Sequence, residues 1–233
     1  NTTSSKKTRI TMNEALALSQ LSQFPPWHLQ GEAFILNYWI SPQFIRQYKA
    51  FRIAPSPIGR VVQIMLVRYH QSPVGPYDEL LLLDHPLLSK RRLSSIPKIY
   101  VSTQISVEHG QQLWGIPKEF AQFDWHTQHE TTQCQLSTQD QTLCLTLTQC
   151  KKARPFYINS HHIPRSMLKI QQAWQGQRYE FSPQFRAKLI KLKKFEWQNH
   201  TTLFPDFGQA KALQSFYVPS FQLVFPEAKI RSK

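Results

Sequence analysis

The chain has 233 residues, of which 41% are hydrophobic, and it carries a formal net charge of +14. A chain of this length and composition can bury one substantial core, which excludes an intrinsically disordered chain and predicts one main domain. No apolar run approaches the roughly 20 residues that a membrane-spanning helix needs, so we expect no membrane partner.

The positive charge is spread over short clusters, which lie at residues 6–7, 90–92, 151–152 and 188–194. These clusters match no nucleic-acid-binding motif, so we expect a solvated basic surface, or one that faces an anionic substrate, and no nucleic-acid partner. The first ten residues lack the apolar segment of a secretory signal, which makes the cytoplasm the expected location. The odd count of 3 cysteines argues against a disulfide framework and predicts reduced thiols.

The first predicted element is a short helix that Thr11 caps and that runs through Gln23, since the two prolines at 25 and 26 prevent its continuation. We take residues 1–24 as an N-terminal extension that contains this helix. β-branched and aromatic residues then predict a strand over residues 33–40, and Ser41 followed by a proline predicts the start of another helix. Further strands are predicted over residues 60–69 and 77–83, on either side of a turn rich in proline and glycine.

The second half of the chain is predicted to form a series of strands with one short helix. We predict a strand over residues 99–106, a helix over 107–113, and then strands in which leucine and cysteine alternate with threonine and glutamine. The remaining strand candidates lie at residues 155–158, 167–173 and 217–224. Residues 185–195 are ambiguous, because serine and proline before them are typical of a helix start and the apolar residues keep helical spacing.

One lysine, Lys118, stands out because it follows Gly115 and Pro117 inside an otherwise apolar segment. Glycine permits positive φ and proline fixes φ, so the two residues predict a turn that aims the lysine side chain. Trp114, Ile116 and Phe120 are expected to surround the amine with apolar groups, which disfavour the ammonium form and lower its pKa. Without further support, a solvated loop lysine is the ordinary interpretation.

The segments PPWHLQGEAF, GPYDE and GQQLWGIPKEF, in this order, resemble the acetoacetate decarboxylase family. The resemblance covers most of residues 25–230 and implies one domain over residues 25–233. It implies a mainly β (α+β) fold, an antiparallel β-barrel or clamshell that encloses a pocket, with a few short peripheral helices. It also implies a strand over residues 185–195, and assembly into a homo-oligomer, which would cover exposed sheet edges.

For the site, the resemblance implies that Lys118 forms an imine with a small oxo acid and that Glu79 orients the amine or moves protons. Acetoacetate decarboxylase is itself a standard example of a lysine activated by desolvation or by a neighbouring cation. The reaction class is a cofactor-independent lyase, through decarboxylation or related aldol chemistry. Neither a cofactor nor a metal ion is expected.

Three positions depart from the family pattern, and each loses or reverses a charge. Glu119 stands where the family has a second lysine, Gly31 where it has an arginine, and Gln63 where it has a second acidic residue. The candidate substrate-binding residues are therefore Glu119, Trp114, Gln63 and Glu32, the last as a substitute for a lost charge. The same departures leave a second hypothesis open, a non-catalytic protein that binds a small ligand on this fold.

His126, His129 and Cys134 weakly suggest a metal site. A structural zinc ion requires four ligands at short spacing, and this segment does not provide them, so we predict partly exposed histidines instead. The sequence also lacks the nucleophile elbow of serine hydrolases and any glycine-rich phosphate loop.

Overall fold

The computed structural model describes residues 21–85, 93–150 and 152–232. The fold is mainly β with few helices, as predicted. The helices are α1 (Pro42–Gln47), α2 (Gln104–Trp114) and α3 (Arg165–Leu168). The strands of the first half are β1 (Trp27–Ile40), β2 (Arg60–Gln71), β3 (Tyr77–Asp84), β4 (Ser95–Val101), β5 (Lys118–Phe120), β6 (Gln122–Gln128), β7 (Thr131–Ser137) and β8 (Thr142–Gln149). The strands of the second half are β9 (Phe156–Asn159), β10 (Ile170–Trp174), β11 (Gln177–Phe181), β12 (Gln184–Gln198), β13 (Lys211–Ala212), β14 (Phe216–Phe225) and β15 (Lys229–Ser232).

Most strands belong to one 12-stranded mixed sheet with the order β5-β4-β3-β2-β1-β14-β12-β8-β7-β6, in which β13 pairs with β1 and β9 with β12. Neighbouring strands are antiparallel except β4 and β5, which are parallel because α2 carries the chain across between them. The outermost strands β5 and β6 are separated in sequence by Ala121 alone. In the described part of the chain the ladder does not close, so the predicted barrel or clamshell is not confirmed.

The large sheet has an apolar core on each face. On the first face, residues of β1 to β3 such as Leu36, Ile64 and Leu80 pack in one buried cluster with Leu136 and Leu145 of β7 and β8. We call this the inner core. It is built from strands of both halves of the chain.

The opposite face carries a second cluster, which we call the helix-side core. There Val67 and Ile99, of β2 and β4, are buried with Leu113 of α2 and with Tyr179 of β11. Strand β11 belongs to a 3-stranded sheet of order β10-β11-β15. Successive residues of a strand point to opposite faces, so parity along β1 to β5 decides which core a side chain enters.

Several predicted boundaries were wrong, although the elements exist. The strand predicted over residues 99–106 is β4, Ser95–Val101, and the helix predicted from residue 107 begins at Gln104. Ser106 and Gly110 share a buried face of this helix because they are one turn apart, which the strand prediction could not show. Residue 167, predicted in a strand, lies in α3. The strand interpretation of residues 185–195 is confirmed by β12.

The helix predicted from Thr11 lies outside the described residues except for its last three positions, which are not helical. Instead, the backbone N–H groups of Ser22 and Gln23 donate to Nε2 of His109 at 3.3 and 3.4 Å. The other ring nitrogen of His109 donates to the carbonyl of Ile105 at 2.8 Å. This buried histidine therefore holds the segment before β1 against α2. Among the described helices, none is both long and apolar enough to cross a bilayer.

Candidate active site

The predicted lysine turn is formed where α2 ends. Gly115 follows the helix with φ of +61°, a conformation that favours glycine, and its N–H donates to the carbonyl of Gln111 at 3.0 Å. After Pro117 the chain enters β5, and the N–H of Lys118 donates to the carbonyl of Ile116 at 2.7 Å. The side-chain amide of Gln111 also donates to the carbonyl of Lys118 at 2.8 Å. The end of α2 thus fixes the backbone that carries the lysine.

The aliphatic part of Lys118 lies across α2 at Gly110. A Cβ atom on Gly110 would lie 2.5 Å from Cδ of Lys118 and 2.8 Å from its Cε. Such distances are not compatible with an unmoved lysine side chain. Glycine at this position gives the lysine room to run along the helix with its amine directed toward the sheet.

The amine of Lys118 sits in a small buried polar cluster. Its Nζ donates to Oε2 of Glu79 at 3.0 Å and to Oγ of Ser106 at 3.1 Å, and it lies 5.1 Å from the ring centre of Tyr77. The other carboxylate oxygen of Glu79 accepts from the hydroxyl of Tyr69 at 3.2 Å. Lys118 is 5% exposed and Glu79 4% exposed, so their ion pair is shielded from water.

This cluster comes from four elements that meet in the helix-side core. Strand alternation puts Tyr77 and Glu79 on the same face of β3, and the antiparallel register places Tyr69 of β2 opposite Tyr77. Ser106 projects from the first turn of α2, on the same face as Gly110. The lysine enters from β5, which pairs with β4. Two of the sequence-predicted residues, Lys118 and Glu79, are therefore brought together.

The electrostatics of the amine differ from the sequence-based expectation. Burial by itself lowers the pKa of Lys118, as expected, but the neighbouring Glu79 carboxylate and Tyr77 outweigh it and hold the pKa above its ordinary value. Burial also raises the pKa of Tyr77 to about 12. The expectation of a lowered lysine pKa was therefore wrong, because it considered the apolar wall and not the anion paired with the amine.

Glu119 lies outside this cluster. It follows Lys118 on β5 and so points to the opposite face of the sheet, where its Oε1 lies 2.7 Å from Nζ of Lys98. Its side chain is 55% exposed. Phe120 was expected to help surround the amine, but at 48% exposure it lies at the surface on the last position of β5. A short edge strand has no neighbour on its outer side to bury such a residue.

Gln63 and Glu32 are also separate from the amine. Gln63 shares the face of Glu79, but it lies four residues before Val67, the β2 partner of Glu79, which is about 13 Å along the strand. Its amide donates to Asn37 at 2.9 Å. Glu32 lies on the inner-core face, where it pairs with Arg68 at 3.1 Å.

Gly31 and Trp114 occupy positions where packing, and not contact with the amine, accounts for the residue type. A Cβ atom on Gly31 would lie 2.0 Å from the carbonyl oxygen of Arg68, at an irregularity in the β1–β2 register, so this backbone accommodates no side chain there. Trp114 is buried at the end of α2, where its ring packs edge-on against Trp27 and Phe225. Its indole N–H donates to the carbonyl of Pro226 at 2.7 Å.

Four residues of the cluster were not among the predicted site residues: Tyr69, Tyr77, Ser106 and Gly110. Two signals point to them. The turn at residues 72–76 lies between residues 69 and 77, which places both residues near the turn of one hairpin. A helix that begins at residue 104 also places residues 106 and 110 on one face.

The histidines of the β6–β7 hairpin do not gather around Cys134. Trp125 is the strand partner of Cys134, which is buried in the inner core, and His126 therefore points to the other face. His129 lies in the connecting turn with φ of +54°. Within residues 21–85, 93–150 and 152–232, no group of three or more histidine, cysteine or acidic side chains is placed to hold a metal ion.

The sequence matches the family model described as acetoacetate decarboxylase over residues 14–175. No curated protein matches the chain significantly. Among solved structures, an acetoacetate decarboxylase from Legionella pneumophila is similar to this chain with 16% identity and a TM-score of 0.67, over 99% of this chain and 98% of the other. The enduracididine biosynthesis enzyme MppR complexed with pyruvate is similar with 16% identity and a TM-score of 0.59, over 91% of this chain and 92% of that one.

An acetoacetate decarboxylase-like enzyme from Sphingomonas wittichii RW1 is similar with 12% identity and a TM-score of 0.64, over 91% of this chain and 95% of the other. At these identities the likeness concerns the fold. The likeness to the Legionella structure spans 99% of this chain and therefore includes strands beyond residue 175, where the match to the family model ends.

Proposed function

Since the chain belongs to the acetoacetate decarboxylase family, we propose that it is a cofactor-independent lyase in which Lys118 forms an imine with a small oxo acid or a similar carbonyl compound. The observation that supports this most directly is the buried amine of Lys118, 3.0 Å from a carboxylate oxygen of Glu79. A buried amine beside a proton acceptor meets the two requirements of imine chemistry, a nucleophile and a route for its proton.

The first step requires the neutral amine. The ammonium of Lys118 transfers a proton to Oε2 of Glu79, along the hydrogen bond that already joins them. The nitrogen then attacks the substrate carbonyl, an N–C bond forms, and a proton moves from this nitrogen to the former carbonyl oxygen to give a neutral carbinolamine. The hydroxyl leaves as water with the proton that Glu79 holds, which leaves an iminium cation beside the Glu79 carboxylate.

The second step uses the iminium as an electron acceptor. In a β-oxo acid the bond to the carboxylate carbon breaks, carbon dioxide leaves, and the electron pair moves into an enamine. Protonation of the enamine carbon and addition of water then release the ketone and restore the amine. In related aldol chemistry, Glu79 removes a proton from the carbon beside the iminium to give the same type of enamine.

The test is borohydride trapping followed by intact-mass analysis and peptide mapping. Acetoacetate, pyruvate and longer oxo acids are each incubated with the chain, and we expect a substrate-dependent reduced adduct on Lys118. The matched control is Lys98, which also forms an ion pair at 2.7 Å but on the other face of the sheet. The adduct should be lost in Lys118→Met and kept in Lys98→Met, and absence of any adduct across the panel would contradict the proposal.

One observation favours the alternative of a non-catalytic binding protein. The raised pKa of Lys118 keeps the amine protonated at neutral pH, and an ammonium binds anions but does not attack carbonyls. Native mass spectrometry of the purified chain would reveal a retained small ligand. Turnover that is abolished by Lys118→Met would exclude this alternative.

A further inference from the structure

Ser106 is a second hydrogen-bond partner of the lysine amine. Its Oγ accepts from Nζ of Lys118 at 3.1 Å, beside the bond from Nζ to Oε2 of Glu79 at 3.0 Å. Ser106 lies in the first turn of α2 and is 0% exposed. Alanine has the higher helix propensity, so the helix itself does not call for a serine here. A buried hydroxyl in contact with the reacting nitrogen is therefore a candidate for a chemical role.

Imine formation contains a proton transfer that needs such a group. Once the amine has attacked, the nitrogen is positively charged and the former carbonyl oxygen negatively charged, with one carbon between them. A direct transfer would close a four-membered ring, whose N–H···O angle lies far below the about 120° at which hydrogen bonds already weaken steeply. A transfer through one hydroxyl closes a six-membered ring instead, which allows more nearly linear hydrogen bonds.

Ser106 is placed for this transfer. A hydroxyl can accept one proton and donate another, and Oγ already faces a hydrogen of the lysine nitrogen. Glu79 at this stage holds the first proton of the ammonium, and its other oxygen accepts from Tyr69 at 3.2 Å. Lys118 is 5% exposed, so bulk water has little access to the amine. Tyr77 also forms a hydrogen bond with Ser106, and it keeps its own proton because burial raises its pKa to about 12.

We propose that Ser106 is a catalytic residue of the imine reaction, a proton relay between Nζ of Lys118 and the oxygen of the substrate carbonyl. The hydroxyl takes the N–H proton that it faces and passes its own proton to the alkoxide. One N–H bond and one O–H bond of Ser106 break, a new O–H bond forms on each oxygen, and Ser106 is left unchanged. The charge-separated adduct becomes the neutral carbinolamine. The inference rests on the proposed function, because it assigns one step of that chemistry.

A serine that only holds the ammonium would have the opposite effect on the rate. A hydrogen bond to the charged form stabilises that form, so loss of the bond would favour the neutral amine and speed imine formation at a fixed pH. Loss of a proton relay slows imine formation at the same pH. The direction of the change in Ser106→Ala therefore separates the two roles.

The experiment measures the initial rate of borohydride-trapped adduct on Lys118 in the full chain, as a function of substrate concentration from about pH 6 to about pH 9. The probes are the oxo acids of the trapping panel, acetoacetate, pyruvate and the longer acids. We expect Ser106→Ala to lower the maximal rate by at least about tenfold at each pH, with an unchanged half-saturating concentration. Ser106→Thr keeps a hydroxyl and should retain most of the parent rate.

The matched control is Ser102→Ala. It removes a serine hydroxyl just before α2, one that accepts from the backbone N–H of Asp78 at 2.8 Å and not from the amine. This variant should keep the parent rate. Ser106→Cys is a second test variant, because a thiol fills the same space but is a weak hydrogen-bond donor, and it should be slowed as well. Circular dichroism confirms that each variant is folded.

The outcomes separate this inference from the proposed function. A folded Ser106→Ala chain that forms the adduct as fast as the parent, or faster, overturns the relay and leaves the imine proposal standing. The relay is also overturned if folded Ser106→Thr is slowed as much as Ser106→Ala. Where Ser106→Ala does not fold, Ser106→Cys decides, and a parent-like rate in that variant refutes the relay. A parent chain that forms no adduct with any oxo acid overturns both proposals.

Discussion

Replacement of Glu79 by glutamine should move imine formation to lower pH. Glutamine keeps the size of the side chain and can still accept the hydrogen bond from Lys118, but it removes the negative charge 3.0 Å from Nζ. The largest influence that raises the pKa of Lys118 is then gone, and burial, opposed by Tyr77 alone among the causes named above, shifts the pKa downward. The parent amine, with its raised pKa, should instead form imine faster as the pH rises toward the alkaline range.

The size of the shift can be bounded. Coulomb attraction between unit charges at this distance is about 5.5 kcal/mol with an effective dielectric constant of about 20, which is an upper limit of about 4 pKa units. Charge partners in proteins usually move a pKa by about 1 to 3 units. We therefore expect the midpoint of the pH profile to fall by about 1 to 3 units in Glu79→Gln.

The assay measures the initial rate of adduct formation on Lys118 from about pH 6 to about pH 10, with the parent, Glu79→Gln and Glu119→Gln side by side. Glu119→Gln should keep the parent midpoint, because Glu119 is exposed on the opposite face of the sheet. A midpoint that stays in place or rises in Glu79→Gln would refute the electrostatic account of the cluster. Circular dichroism at each pH confirms that the variants remain folded.

Three further outcomes are expected. Gly110→Ala should slow adduct formation by at least about tenfold, because the added Cβ displaces the aliphatic part of Lys118, and it should cost little stability, because alanine favours the helix. An unchanged rate would contradict the packing of Lys118 against Gly110 of α2. Tyr69→Phe should lower the free energy of unfolding in urea by about 1 to 3 kcal/mol, because a buried oxygen of Glu79 loses its hydrogen-bond donor. An unchanged urea midpoint of unfolding would show that water replaces the tyrosine hydroxyl. The free energy of unfolding should fall above about pH 10, because Lys118, Tyr69 and Tyr77 have raised pKa values and keep their protons in the folded chain after the unfolded chain has lost them. A thermal unfolding temperature that does not change between about pH 9 and pH 11 would contradict this.

The sequence alone was sufficient for the fold class and for the turn that presents the lysine. Alternation of apolar and polar residues is a local property, so most strands of this mainly β chain can be located without knowledge of their partners. Residues 185–195 of β12 are the exception, because their apolar residues keep helical spacing. The same holds for Gly115 and Pro117, whose backbone preferences predict a turn before Lys118 wherever that turn lies in the fold. The boundaries of α2 were less accurate, because helix ends depend on which residues the sheet buries.

The surroundings of the amine were decided by the tertiary structure. Lys118 and Glu79 are 39 positions apart, and their 3.0 Å contact depends on the pairing of β2 with β3, of β3 with β4 and of β4 with β5. A shift of one residue in such a ladder turns every side chain to the other face. The turn at residues 72–76 indicates the pairing of β2 with β3, but the local sequence does not fix the registers of β3 with β4 and of β4 with β5. For this reason two adjacent residues have different environments: Lys118 is buried beside an anion, and Glu119 is exposed on the opposite face of the sheet. The direction of the lysine pKa follows from the same contact, since burial alone lowers it and only the folded sheet supplies the carboxylate that raises it.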